Sequence, residues 1–121
     1  MDNQKRKPIR SKAIRQAARG ENCTVRFPGC ENRRDTVVFC HSNYNEDGKG
    51  MGRKADDIYG VFACHHCHDV LDKRKTIQLV TNEVIRDFFH AGLKRTWRRL
   101  IERGIITINE GETHDRDDSP I

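Results

Sequence analysis

Two pairs of cysteines carry the strongest chemical signal in the sequence. Cys23-x6-Cys30 and Cys64-x2-Cys67 are separated by 33 residues. A C-x2-C pair brings two thiolates onto one tetrahedral ion at about 2.3 Å, and a second pair supplied by a turn completes the sphere. The first pair is spaced more widely than a standard knuckle, but Pro28-Gly29 between its members is a turn signal that returns the chain. These residues predict a structural zinc site on Cys23, Cys30, Cys64 and Cys67, the ion fastening an N-terminal turn to a later segment. Spacing alone leaves two other readings open. In one, His65, His66 or His68 replaces a thiolate; in the other, the cysteines are buried or redox groups without a metal.

A second set of residues suits hydrolysis of a phosphodiester. His68 and Asp72 are four residues apart, so on a helix they project from one face and can share a cation. The carboxylate favours a hard ion, Mg²⁺ or Mn²⁺. Arg74, just beyond, offers a guanidinium for a phosphate oxygen. His41 closes an apolar run, and a neutral imidazole can accept a proton near neutral pH. Such a reaction needs a base for the attacking water and a cation for the charge on the phosphorane and leaving oxygen. Each residue also has a bland reading. His41 is then an ordinary strand-end histidine, His68 a neighbour of the zinc ligands, and Asp72 a surface partner of Lys73, Arg74 or Lys75.

The elements that must position these groups are legible in outline. Ser11 predicts an N-cap for a short helix through Arg19, stopped by Gly20. Thr36 to His41 is β-branched and aromatic and predicts a strand; Ile58 to Ala63 predicts a second that pairs with it. The polar, glycine-containing stretch 42–56 between them is a loop, and Cys64 onward opens a helix. From Asn82 as cap, Val84/Ile85, Phe88/Phe89, Leu93, Trp97 and Leu100/Ile101 recur at helical spacing, predicting an amphipathic helix that ends at Gly104. Gly92 in its middle predicts a bend or a close approach. Ile105 to Ile108 reads as a short strand.

Strand-end His, loop, second strand, then Cys-x2-Cys-His opening a helix: this order resembles the HNH or His-Me finger endonucleases, whose ββα-metal core often sits on a four-cysteine zinc site. More narrowly, residues 13–108 look like a small phage- and prophage-encoded family described as HNH-like nucleases. The matching stretches are Ala17-Ala-Arg-Gly-Glu-Asn-Cys23, Cys40-His41 and Ala63-Cys-His-His-Cys-His-Asp-Val-Leu-Asp-Lys-Arg74. The resemblance implies an α+β fold, a small zinc-stapled ββα-metal core with flanking helices. It implies that His41 is the base and that His68 and Asp72, matching the H-x3-H or H-x3-N end of the family motif, hold the catalytic cation. Asp57 lies near the place of the family's middle Asn, which orients the base, with Asp56 or Asn45 as substitutes for that role. The residue before the base is usually an Asp or His ligand, whereas here it is Cys40, which either binds a softer ion or packs as a small apolar residue. The implied activity is metal-dependent endonucleolytic hydrolysis of DNA. A zinc-stapled DNA-binding module without catalysis is the alternative, followed by a protein-interaction adaptor built on the long helix.

Charge and composition agree with a nucleic-acid partner. The 121 residues carry a net charge of +5, but residues 109–121 hold five acids and one base, which leaves +9 over residues 1–108. Such a body attracts a polyanion, because each Lys or Arg placed on a phosphate releases condensed counterions. Residues 1–10 read as a flexible basic arm, 11–108 as one zinc-binding domain and 109–121 as a disordered acidic tail. With 34% charged residues and a mean hydropathy of −0.86, no run approaches the roughly 18 apolar residues of a membrane span. The basic start has no apolar stretch behind it, so the expected setting is the cytoplasm of a bacterial host. The long helix offers a face through which two copies could pair as a homodimer.

Overall fold

An antiparallel hairpin, β1 (Val38–His41) and β2 (Gly60–Ala63), forms the centre of the structure, a computed structural model that describes residues 7–50 and 52–109. Around it lie helices α1 (Lys12–Gln16), α2 (His65–Leu71) and α3 (Asn82–Glu102). The small α+β architecture is therefore as the sequence predicts. The register pairs Val38 with Ala63, Phe39 with Phe62, Cys40 with Val61 and His41 with Gly60. Opposed residues in such a pair share a face, so His41 and Phe39 project to one side of the sheet and Cys40 and Val38 to the other. Every residue of β2 is buried.

The long helix provides most of that cover. Its 21 residues span about 32 Å at roughly 1.5 Å per residue, and it packs on β2. Thr81 is the cap, one residue before the Asn82 of the sequence reading: its hydroxyl accepts the Val84 N–H at 3.2 Å. Gly92 is explained by close approach. A Cβ there would lie 3.2 Å from both the Thr24 carbonyl oxygen and Val61 Cγ1. Beside it the hydroxyls of Thr24 and Thr96 meet at 2.8 Å with both residues buried, and Thr24 also bonds the backbone of Phe62. The N-terminal segment, β2 and α3 are thereby locked together. Phe89 is fully buried, Phe88 stacks on Phe27 with centroids 5.4 Å apart, and the Trp97 indole donates to the Ile58 carbonyl at 2.7 Å. Phe88 and Trp97 are half-buried against the core.

Two element boundaries move for local reasons. Residues 34–36 form a 3-10 turn, so β1 begins at Val38 and not at Thr36. Thr36 instead donates its hydroxyl to the Arg33 carbonyl at 2.7 Å and accepts the His65 N–H at 2.9 Å, capping α2 from outside because Cys64 makes no side-chain cap. The expected strand at 105–108 is absent. Gly104, at φ +71, reverses the chain, and the amides of Ile105 and Ile106 turn back to the Leu100 carbonyl, taking them from a ladder. Among the described residues no helix is long and apolar enough to cross a membrane. Residues 1–6 and 110–121, most of the predicted arm and tail, lie outside the described part.

Candidate active site and metal centre

The four predicted zinc ligands converge. The sulfurs of Cys23, Cys30, Cys64 and Cys67 all lie within 4.8 Å of one another, with Cys30 and Cys64 at 3.6 Å. Bonds of about 2.3 Å at tetrahedral angles place sulfurs roughly 3.8 Å apart, so the donor set lies close to the spacing a zinc ion requires. Gly29, at φ +89, makes the reversal that returns Cys30 to Cys23, and His66 Nε2 clamps that turn by donating to the Pro28 carbonyl at 2.8 Å. None of the three neighbouring histidines joins the cluster. The thiols share their protons unevenly. The Cys67 thiol, with the amides of Arg26, Cys64 and Val25, holds Cys23 down to about 4, whereas burial pushes Cys30 up to about 11. Four cysteines are therefore placed to bind a metal ion such as zinc.

Cys40 stands apart from this set. Its side chain is buried on the opposite sheet face from His41. Burial, reinforced by the negative charge of Asp72, pushes its thiol up to about 12. It packs in the core as a small apolar residue.

His41 and Asp57 come together although 16 residues separate them. His41 Nε2 lies 2.7 Å from Asp57 Oδ1. Asp57 has no exposed side-chain surface, and its other oxygen accepts the Ser11 N–H at 2.7 Å and Arg15 Nη1 at 2.6 Å. Burial alone raises the Asp57 pKa, but the hydrogen bonds from His41, Ser11 and Arg15 outweigh it and the carboxyl sits below its ordinary value. An ionised carboxylate can only accept, so Nε2 carries a proton towards Asp57 and Nδ1 keeps its lone pair when the ring is neutral. Of the other two possible orienting residues, Asp56 instead faces the Ile9 N–H at 3.3 Å. Ile9 and Arg10 are bonded to the loop at residues 54–57, so the end of the predicted arm is part of this framework.

The remaining predicted residues lie on or just after α2. His68 Nε2 stands 3.1 Å from Asp72 Oδ2, both one-third exposed, and Arg74 approaches Asp72 at 3.6 Å and Asp69 at 3.9 Å. Asn43, two residues beyond His41, donates to the Leu71 carbonyl at 3.3 Å, so the end of β1 runs beside the end of α2. Two oxygen or nitrogen ligands each about 2.1 Å from one ion lie near 3 Å apart, so the His68–Asp72 pair has the separation a cation needs. Among the described residues no third His, Cys, Asp or Glu ligand atom joins the pair to make a cluster within 4.8 Å.

Sequence reasoning missed the supports of His41. Phe39 meets its ring edge-on at 5.0 Å, and Gly60 leaves room for that phenyl ring: a Cβ at Gly60 would fall 2.1 Å from Phe39 Cζ. The two-residue period identifies Phe39 and His41 as face-mates, but only the hairpin register brings Gly60 opposite.

Residues 12–105 match the model of the family described as "Putative nuclease YbcO". The chain belongs to this family. It is 33% identical over 94 residues to "Putative nuclease YbcO" of Escherichia coli K12, an alignment covering 77% of this chain and 95% of the relative. The same figures hold for the protein of that name from Enterobacteria phage 82. A solved structure titled "Structure of a putative bacteriophage protein from Escherichia coli str. K-12 substr. MG1655" superposes with a TM-score of 0.59 at 31% identity, covering 76% of this chain and all of the other. The YbcO relatives thus carry the name of nucleases, and one of them is phage-encoded. The YbcO match begins at Lys12, the first residue of α1, and so spans both cysteine pairs, His41, Asp57 and the α2 residues.

Proposed function

We propose that this YbcO-family protein is a metal-dependent endonuclease of the HNH, or His-Me finger, type that hydrolyses DNA phosphodiester bonds and is of phage or prophage origin. The contact of His41 with the buried Asp57 carboxylate supports the reading most directly. An exposed surface histidine gains nothing from such a partner. A base that must present one defined nitrogen to water gains its tautomer and its orientation. Nδ1 of His41 takes a proton from the attacking water, Asp57 holds the ring as the imidazolium forms, and Arg74 swings from Asp72 and Asp69 to a phosphate oxygen. His68 and Asp72 would hold a divalent cation, Mg²⁺ or Mn²⁺, which supplies Lewis-acid stabilisation of the phosphorane and leaving oxygen. Magnesium sites commonly use one or two carboxylates plus substrate phosphates, a role Asp72 would fill here with His68 beside it. The zinc on the four cysteines is structural in this reading, fixing the start of α2 against the Cys23–Cys30 turn.

The test is cleavage of plasmid and branched DNA across Mg²⁺, Mn²⁺, Ni²⁺ and Zn²⁺. His41→Ala should abolish cutting while zinc content and DNA binding stay near wild type and the fold is kept at reduced stability, because it removes a proton acceptor and one partner of Asp57 but no zinc ligand. His68→Ala should also stop cleavage, with partial recovery at high cation concentration. A His41→Ala protein that cuts at the wild-type rate would refute the mechanism. One observation favours a second reading, a zinc-stapled DNA-binding module without catalysis: among the described residues the His68–Asp72 pair has no third ligand of its kind beside it. DNA binding without cleavage under every cation would establish that alternative.

A further inference from the structure

We propose that the groove between α1 and β1 seats the sugar–phosphate backbone of the nucleic-acid substrate and leads it to His41. This rests on the nucleic-acid half of the reading above and is independent of its hydrolytic half. The groove measures about 440 Å³ and is lined by Arg15, Gln16 and Arg19 on one side and by Val37, Val38 and Phe39 on the other. Its volume falls among those of ligand sites, roughly 300–1,000 Å³.

Charge distinguishes it from two of the other clefts, and a pair of arginines from the cleft around Cys23 and Cys30, which holds one, Arg26, turned to the Cys23 carbonyl. No carboxylate lines the groove. The cleft between α2 and α3 contains Glu83, and its Arg86 is already paired with Glu46; the cleft beside the zinc centre contains Glu31, and its Arg33 is paired with Asp35. Arg19 is exposed and makes no hydrogen bond or ion pair among the described residues, so an incoming phosphate displaces no partner. Arg15 gives Nη1 to Asp57 yet remains 41% exposed, leaving further guanidinium N–H groups for a second anion. Val38, 42% exposed, supplies apolar surface for a sugar.

Position links the groove to the base by two routes. Phe39, one of its walls, leans edge-on against His41, and Arg15 reaches His41 through Asp57. A strand lying along Arg19 and Arg15 therefore arrives at the residue that activates water. Two guanidiniums on one apolar track match successive phosphates of a polyanion better than they match a small isolated anion, and the body of the protein already attracts polyanions.

The experiment measures binding of a fluorescein-labelled mixed-sequence DNA duplex to the full zinc-loaded chain, with no added catalytic cation, between about 50 and 200 mM salt. Arg19→Ala removes an unpaired exposed group and should weaken binding about fivefold and lower the salt slope by about 0.9, one phosphate contact. Val38→Glu, which sets a carboxylate in the groove at a position already open to solvent, should weaken it more. Arg98→Ala removes the same charge from the outer face of α3 and should change affinity less than about twofold. Wild-type affinity in both groove variants, or an equal loss in Arg98→Ala and Arg19→Ala, would overturn the proposal. A wild-type chain that binds no DNA would overturn it together with the nucleic-acid reading. Groove-dependent binding in a protein that never cleaves would uphold the groove and remove only hydrolysis.

Discussion

Removing the Asp57 carboxylate measures how firmly the candidate base is held. Oδ1 accepts from His41 at 2.7 Å, and Oδ2 accepts from the Ser11 amide at 2.7 Å and from Arg15 at 2.6 Å. Asp57→Ala strips all three. A hydrogen bond to a charged group contributes about 1.5–3 kcal/mol, and the half-buried His41 and Ser11 lose theirs in full. Arg15 is 41% exposed and regains water, so its ion pair adds only about 0–1 kcal/mol. The expected loss is roughly 3–7 kcal/mol, a fall of about 2–5 M in the urea midpoint. Because the folded carboxyl titrates below its ordinary 3.8, its contribution is complete above that pH and is lost as pH falls through the lower folded value. Urea unfolding of wild type and Asp57→Ala should therefore show a constant gap from neutral pH down to about pH 4, closing only in stronger acid. A gap under about 1 kcal/mol at neutral pH, or one that closes between about pH 7 and 5, would refute this account of the contact. Asp57→Asn should also shift the His41 ring nitrogens in NMR spectra, since one tautomer is no longer enforced.

Further outcomes follow from packing and from the zinc centre. Cys64→Ser should lower bound zinc per chain, read by elemental analysis, and unfold the protein cooperatively on chelation, whereas Cys40→Ala should retain the metal and lose about 1–2 kcal/mol of packing. Gly60→Ala should displace the Phe39 ring, which a Cβ would meet at 2.1 Å, costing about 1–3 kcal/mol in urea unfolding and broadening the His41 resonances. Gly92→Ala, with neighbours 3.2 Å from the new Cβ, should destabilise by a similar amount and leave His41 unchanged in the same spectra.

Some of this site was readable because its signals are local or covalently spaced. Metal-ligand spacing sets which sulfurs can reach one ion, so the four cysteines could be paired before any fold was known. The i,i+4 rule placed His68 beside Asp72 for the same reason, and the 3.6-residue period located α3 to within a residue of its cap. The two-residue period of β1 separates His41 from Cys40, but sequence alone left open whether Cys40 binds metal or packs. Burial on the core face, with its thiol held protonated, decided for packing.

Contacts between distant segments were decided only by the tertiary structure. Asp57 was one of three acceptors that could have faced His41, and its selection depends on where the loop at 54–57 meets residues 9–15. Nothing in the spacing of Arg15, Phe39 or Gly60 marks them as supports of the base, because their partners lie across a hairpin register and a helix–loop junction. The expected strand at 105–108 failed likewise: its first two amides were taken by the reversal after Gly104, where Ile105 and Ile106 pack on the core. Residue type and periodicity fix what a side chain can do and which face it shares. Which distant group it meets depends on how the closed core brings the backbone together.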